Sequence, residues 1–462
     1  MKEHRAPLTR TSEQRRLTRL LGFVVFFSVL NSTTFNVAVP DIAAQFGLLP
    51  SGVSWVMTSY IIVFAVGTVT YGKLADLYPV RTLITVALVL MSAGSLLGFL
   101  ARWYPLVVAG RVFQASGGAA VPTLSMLVAT HYFPPGLRGR VLGVLASTVA
   151  LASGAGPILG GYVTGMFHWR YLFLLCTVTL ITIPFFRRIL PHEEKEGRRF
   201  DLPGAALLWA GVSALLVFVT EGVWALLPAS FLCLLLFGLH IRRGEGKFLT
   251  PAVFRNRRYL GAVLTAFLAM GTVFAFIFVT PIMLRALNGL RAEDIGLTMF
   301  PGALSAALLG TAGGKLADRV GSVPVVYMGL LLLVLGFLLL SSLAGLPASR
   351  VALALVVSYV GFAFTQSSVA HAVAETLSGL SGESRGKAVP SGIGMGVFNM
   401  FFFTSGALSA ALLGRLLDLG TTGFSLNPLT PPEGALYGNL YLLLAFSVAL
   451  AAGLFHFTFR QR

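Results

Sequence analysis

The sequence predicts an all-α integral membrane protein with fourteen transmembrane helices arranged as six, two and six. Three observations carry that expectation: an apolar composition poor in charge, Lys and Arg gathered in alternate loops, and a repeat spaced by about half the chain.

Composition comes first. The 462 residues are 56% hydrophobic and only 11% charged, with a mean hydropathy of +0.83. Soluble domains carry about 25% charged residues to solvate their surface. Most of this surface must therefore face something other than water, and its long apolar runs read as membrane spans. The net charge of +17 forms no basic stripe of the kind that binds nucleic acid. It sits instead in short loops, as topology requires. Cys176 and Cys233 lie in different apolar runs, so neither a disulfide nor a metal site is expected. No phosphate-binding loop, nucleophile elbow or dinucleotide fingerprint is present. No enzyme activity, cofactor or metal is expected.

Spans are expected at about 19–39, 53–72, 82–101, 105–130, 141–163, 170–187, 204–221, 224–241, 260–284, 294–313, 322–343, 350–372, 388–414 and 436–458. The first is a full-length run with no small-residue cleavage site after it, so it reads as a retained span rather than a signal peptide. With the N-terminus inside, 27 Lys/Arg fall in inside loops and 6 in outside loops, while Arg111 lies within a span. That asymmetry predicts a multi-pass protein of the cytoplasmic membrane with both termini cytoplasmic. Trp55, Trp103, Trp169 and Trp224 then fall at the outer interface, where amphipathic rings prefer to sit.

The repeat is the strongest single feature. Gly72-Lys73-Leu74-Ala75-Asp76 recurs unchanged as Gly314-Lys315-Leu316-Ala317-Asp318, and Arg138-Gly139-Arg140 returns as Arg385-Gly386-Lys387. Offsets of 242 and 247 at equivalent inside loops predict two related six-span units. These are residues 1–190 and 259–462, separated by 191–258 with a charged linker and two inserted spans. Repeated halves suit a carrier in which one half rocks against the other around a midplane site.

These residues resemble the major facilitator superfamily, and specifically its fourteen-span drug:proton antiporter branch. Gly72 to Arg81 looks like the loop 2–3 signature, with Pro79 where a second glycine is usual. Leu106 to Gln114 followed by Gly117 and Gly118 resembles the span-4 signature, and Gly156-Pro157 to Gly160-Gly161 the antiporter signature of span 5. Phe200-Asp201-Leu-Pro-Gly204 resembles the usual entry to span 7, and span 1 is similar to that of Gram-positive tetracycline exporters. The resemblance implies a major facilitator fold and proton-coupled export of a drug, an antibiotic such as tetracycline, or a metabolite. A carrier without proton coupling, and a transporter-like receptor that binds without turnover, are the alternatives.

The chain departs from that branch in its charges. None of its seventeen Asp and Glu residues falls at mid-membrane, and Asn31, Ser32, Ser153 and Ser405 or Gly406 stand where the branch carries acids. Arg111 is the one charge expected well inside the bundle. A permanent cation there needs acceptors, and Asn31, Ser32 and Ser153 are the expected ones. It either ties spans 1, 4 and 5 together or biases a cavity towards anionic, zwitterionic or neutral ligands.

Expected substrate-binding residues are Asn31, Ser32, Arg111, Gln114, Ser153, Gln366 and Asn399, and proton-coupling candidates are Asp41, Arg111 and His371. Gly72, Asp76, Arg81, Gly314, Asp318 and Arg319 form the expected inner gating loops, with the two glycines allowing close backbone approach. Gly154, Gly156, Pro157, Gly160 and Gly161 form the antiporter helix, whose small residues permit tight contact and a bend. The expected partners are a small molecule, protons and lipid; a monomer is expected, because such bundles bury their own core. The 417–434 loop has no readable role.

Overall fold

Apolar runs of this length can satisfy their backbone in a bilayer as helices, and helices dominate the computed structural model. It describes residues 11–191, 201–242, 256–383, 391–420 and 424–460. The first half contains α1 (Thr11–Phe46), α2 (Pro50–Leu77), α3 (Val80–Phe99), α4 (Tyr104–Gly118), α5 (Ala120–Tyr132), α6 (Pro135–Met166), α7 (Tyr171–Leu174) and α8 (Ile183–Ile189). Next come α9 (Leu202–Glu221) and α10 (Leu226–Arg242). The second half contains α11 (Arg257–Asn288), α12 (Ala292–Val320), α13 (Ser322–Leu343), α14 (Ala348–Glu383), α15 (Ser391–Asp418) and α16 (Ala435–Phe459).

Helix α5 continues α4 through Ala119, and a 3-10 stretch at Thr177–Thr182 separates α7 from α8. The described residues therefore form fourteen long helical segments. Twelve of them are long and apolar enough to cross a membrane; the other two are α6 and the 17-residue α10. Several segments run past the expected span limits, as α1 and α14 do with 36 residues each.

Local chemistry sets the ends. Asp201 caps α9 by accepting from the Gly204 amide, and Asn256 caps α11 by accepting from Tyr259. Gly222 and Gly289 close α9 and α11 in the left-handed region at φ 71° and 64°.

The α1–α2, α6–α7, α11–α12 and α13–α14 turns lie at one end of the bundle, which we term distal. Trp169 Nε1 donates to Gln45 there at 2.7 Å, and Asn288 Nδ2 to the Leu346 carbonyl at 3.0 Å. In the first half α6 packs on α1 and α4 on both α2 and α3; in the second, α11 carries α15 and α16 while α14 packs on α12 and α13. The halves meet where α2 lies on α15 and α6 on α12, with a smaller contact of α1 on α11. Helices α9 and α10 pack on each other, and α9 also rests on α15 and α2. The inserted pair thus sits at the edge of the α2–α15 seam.

Candidate functional site

Arg111 lies on α4 about 10 Å along the helix from its distal start, and only 1% of it is exposed. Its Nε donates to the Val56 carbonyl at 3.2 Å, and Nη1 donates to Asn31 Oδ1 at 3.3 Å and Gln114 Oε1 at 3.0 Å. The guanidinium lies between the rings of Phe35 and Tyr60, 4.1 and 4.0 Å from their centroids. Gln114 passes the network on, donating Nε2 to Ser95 Oγ at 2.8 Å. No described carboxylate pairs with Arg111. The cation is held by neutral acceptors and two π faces, a combination that is favourable once water is excluded.

This geometry joins α1, α2, α3 and α4. Asn31 and Gln114 meet the arginine; Ser32 and Ser153 do not. Ser32 Oγ donates to the Val29 carbonyl of its own helix at 2.7 Å, and Ser153 is half-buried on α6. The Val56 carbonyl, Ser95 and the two rings were outside the sequence expectation, because nothing in span periodicity reports which faces of different helices meet.

The first half also holds buried polar groups. On α1, α2 and α3 the hydroxyls of Thr34, Thr58, Ser59 and Ser92 and Asn36 Oδ1 are buried with no hydrogen-bond partner among the described residues. Such groups ask for water or a polar ligand atom. Across the seam the wall is aromatic. Phe64 on α2 meets Phe403 on α15 edge-on at 5.0 Å, and Phe403 also meets Phe402 at 4.9 Å and Phe274 on α11 at 6.2 Å.

The glycines of α6 serve two neighbours. A Cβ on Gly156 would fall on the Thr33 side chain, and one on Gly160 on the backbone of Thr34, both on α1. A Cβ on Gly161 would fall on the Ala292 backbone of α12, and Pro157 meets Gly296 there. The helix is therefore wedged between its own half and the other one, an approach that only small residues allow.

Distal to this crossing, Arg285 on α11 donates Nη2 to Asp41 Oδ1 on α1 at 2.7 Å, and Nη1 to the Leu290 carbonyl at 3.2 Å. Asp418 at the end of α15 accepts from the Ser51 amide on α2 at 3.2 Å. Both bonds run between the halves, so the distal end is closed in this state.

The sequence profile of the Major Facilitator Superfamily matches residues 21–410. The chain belongs to this superfamily. Among its relatives are the multidrug resistance protein Stp of Mycobacterium tuberculosis (strain CDC 1551 / Oshkosh), 28% identical over 69% of this chain and 62% of that protein. The multidrug transporter protein MdtP of Bacillus subtilis (strain 168) is 27% identical over 72% of this chain and 64% of that protein. The riboflavin transporter RibZ of Clostridioides difficile (strain 630) is 25% identical over 64% of this chain and 67% of that protein. The chain thus spans less than two thirds of the length of Stp and MdtP. A bacterial homologue of the human lysosomal transporter Spinster, inward-facing and unoccupied, has the same fold, with a TM-score of 0.67 at 13% identity over 98% of both chains. The xylose transporter XylE from E. coli gives 0.65 at 13% identity over 97% of this chain and 99% of that one. Fold and family are those of a membrane transporter.

The remaining expected residues of this superfamily member are scattered along the bundle. Gln366 is exposed and Asn399 half-buried, on α14 and α15. His371 is half-buried on α14, one turn before Glu375, whose side chain lies outside the described residues. Gly72 and Gly314 fall within the last turns of α2 and α12. Neither glycine hosts the close backbone approach expected of it: a Cβ on Gly72 would make only ordinary contact with Thr123 at 3.8 Å, and one on Gly314 would meet nothing within 4 Å. Arg81 is half-buried and Arg319 exposed, while the side chains of Asp76 and Asp318 lie outside the described residues.

Proposed function

We propose that the chain is a secondary active exporter of small apolar or planar molecules, driven by proton antiport and working by alternating access. Its fourteen segments act as spans in a six-two-six arrangement, with the distal end outside, both termini cytoplasmic and one chain per transporter. One observation carries the reading. The halves meet along the α2–α15 and α6–α12 seams, and two side-chain bonds tie them at the distal end, Asp418 to Ser51 on the α2–α15 seam and Asp41 to Arg285 between α1 and α11. Side-chain bonds of that kind break and re-form as one half moves against the other.

The proposed substrate class rests on the side chains at the seam and inside the first half. Phe64, Phe274 and Phe403 are half-buried at the seam, and flat aromatic solutes stack on such rings. Unpartnered hydroxyls on α1–α3 would take their polar edges. The buried Arg111 charge, with no described carboxylate beside it, disfavours cationic substrates. Relatives named as multidrug and riboflavin transporters agree with this class.

Asp41 is the proposed proton-coupling residue, because its carboxylate is the acceptor that ties α1 to Arg285 on α11 at the distal end. An uncoupled carrier is the second reading, favoured by the absence of a mid-membrane acid from the sequence. Proteoliposomes with a fluorescent substrate and a pH-sensitive dye distinguish the two. Substrate flux with matching proton counterflow supports antiport, and flux without it supports the uncoupled carrier.

A further inference from the structure

Between α15 and α16 the chain carries apolar side chains where an aqueous loop would carry polar ones. Leu419, Phe424, Leu426 and Leu429 are 63–74% exposed, and contiguous exposed apolar groups mark an interaction surface. Residues 424–430 are nevertheless held in a defined shape. Asn439 on α16 donates Nδ2 to the Phe424 carbonyl and accepts from the Leu426 amide, both at 2.8 Å. Asn427 Nδ2 reaches Ser341 and Ser342 Oγ at 3.0 Å, and Thr430 Oγ1 donates to the Ser341 carbonyl at 2.9 Å.

Beneath this roof lies a cavity of about 430 Å³. Helices α15 and α16 both pack on α11 and not extensively on each other, which leaves a cleft between them. Its walls include Leu416, Leu419, Leu436, Leu443 and Phe446. Asn439 is the single polar side chain in the lining, and the roof already uses both ends of its amide. The cleft is continuous with a stripe on α16 where Leu443, Phe446 and Leu450 are 44%, 63% and 52% exposed. On a spanning helix such a stripe faces lipid.

We propose that this cleft binds one acyl chain of a lipid in the distal leaflet, with residues 424–430 as its roof. The volume falls within the range of small-ligand pockets, about 300–1,000 Å³. The lining offers no group to hold a polar or charged solute. Because the cleft is continuous with the lipid-facing stripe, the bilayer supplies the occupant. Binding then scales with the number of methylenes buried.

Native mass spectrometry of the detergent-purified, delipidated full chain tests this with palmitoyl-oleoyl phosphatidylglycerol. One lipid should survive activation that strips the others, and single-chain lysophosphatidylglycerol should replace it. Leu443→Trp, which fills the cleft, should lower that occupancy about tenfold, as loss of two methylenes' burial would. Asn439→Leu, which frees the roof, should also lower it. Leu450→Trp, on the same stripe but outside the cleft, should leave it unchanged. No retained lipid in the unaltered protein, equal retention in Leu443→Trp, or displacement by the chainless headgroup glycerophosphoglycerol would each overturn the proposal.

Discussion

Arg285 on α11 donates to Asp41 on α1 at 2.7 Å, a bond between residues 244 positions apart that joins the two halves of the bundle at its distal end. Both side chains are partly exposed, 36% and 26%. A pair in that setting is worth about 0.2–1 kcal/mol. It is too weak to hold the fold together, yet enough to bias two conformations of similar energy. Asp41→Asn and Arg285→Ala should each shift the population towards a distal-open state by up to about fivefold. Spin labels at positions 49 and 297 would report the shift as a longer distance, and the charge-exchanged double variant should restore the shorter one. Unchanged distances in both single variants would remove the pair from the gating account.

The glycines of α6 make a sharper prediction, because two of them touch different halves. Gly161 faces Ala292 on α12, whereas Gly156 faces Thr33 on α1. Gly161→Leu should fold, hold the distal end apart and abolish transport. Gly156→Leu should instead strain the first half by about 1–3 kcal/mol, seen as a lower melting temperature in detergent. Equal loss of stability in both would show that α6 packs as one ordinary face.

Arg111 sets a third test. Arg111→Ala leaves Asn31 Oδ1 and Gln114 Oε1 without this donor, each at about 1–3 kcal/mol, while the Val56 carbonyl keeps its bond within α2. Expression or melting temperature should fall markedly. Arg111→Lys keeps the charge but lacks the fork that reaches all three acceptors, so it should fold and transport more slowly. Full transport by Arg111→Ala would leave the arginine without a functional role.

A pH effect is expected at the α6–α7 turn. His168 Nδ1 accepts from the Arg170 amide at 3.2 Å, which requires that nitrogen to be unprotonated. Partial burial, with the neighbouring Arg170 charge as a smaller cause, holds the imidazole pKa below its ordinary value. A histidine depressed in this way binds fewer protons folded than unfolded. Its contribution is therefore present above the ordinary value of about 6.5 and lost as pH falls through the lowered one. Acidification should loosen the turn, read as faster exchange of the Arg170 amide or changed fluorescence of the buried Trp169. His168→Gln should abolish that pH dependence.

The sequence made much of the scaffold legible. Helical segments lie at all fourteen expected positions, and Trp103 and Trp224 sit exposed at distal turns. Those features follow from apolar length and local punctuation, which a single chain carries openly. The site was less legible. Asp41 and Arg285 were both placeable near span ends, but their pairing depends on how α1 lies on α11. Gln114 drew notice from its motif, while its partner Ser95 on α3 looked like any serine in a span. The resemblance drew attention to Asn31 because an acid is usual there, and the structure gives that amide an arginine to hold.

Transport in proteoliposomes under an imposed pH gradient tests the central claim most directly, with riboflavin and a tetracycline as fluorescent substrates. An acidic lumen should drive accumulation of at least one of them above its outside concentration, with measurable proton efflux, and Asp41→Asn should uncouple the two. Saturable binding without flux, or flux indifferent to the gradient, would contradict proton-coupled export.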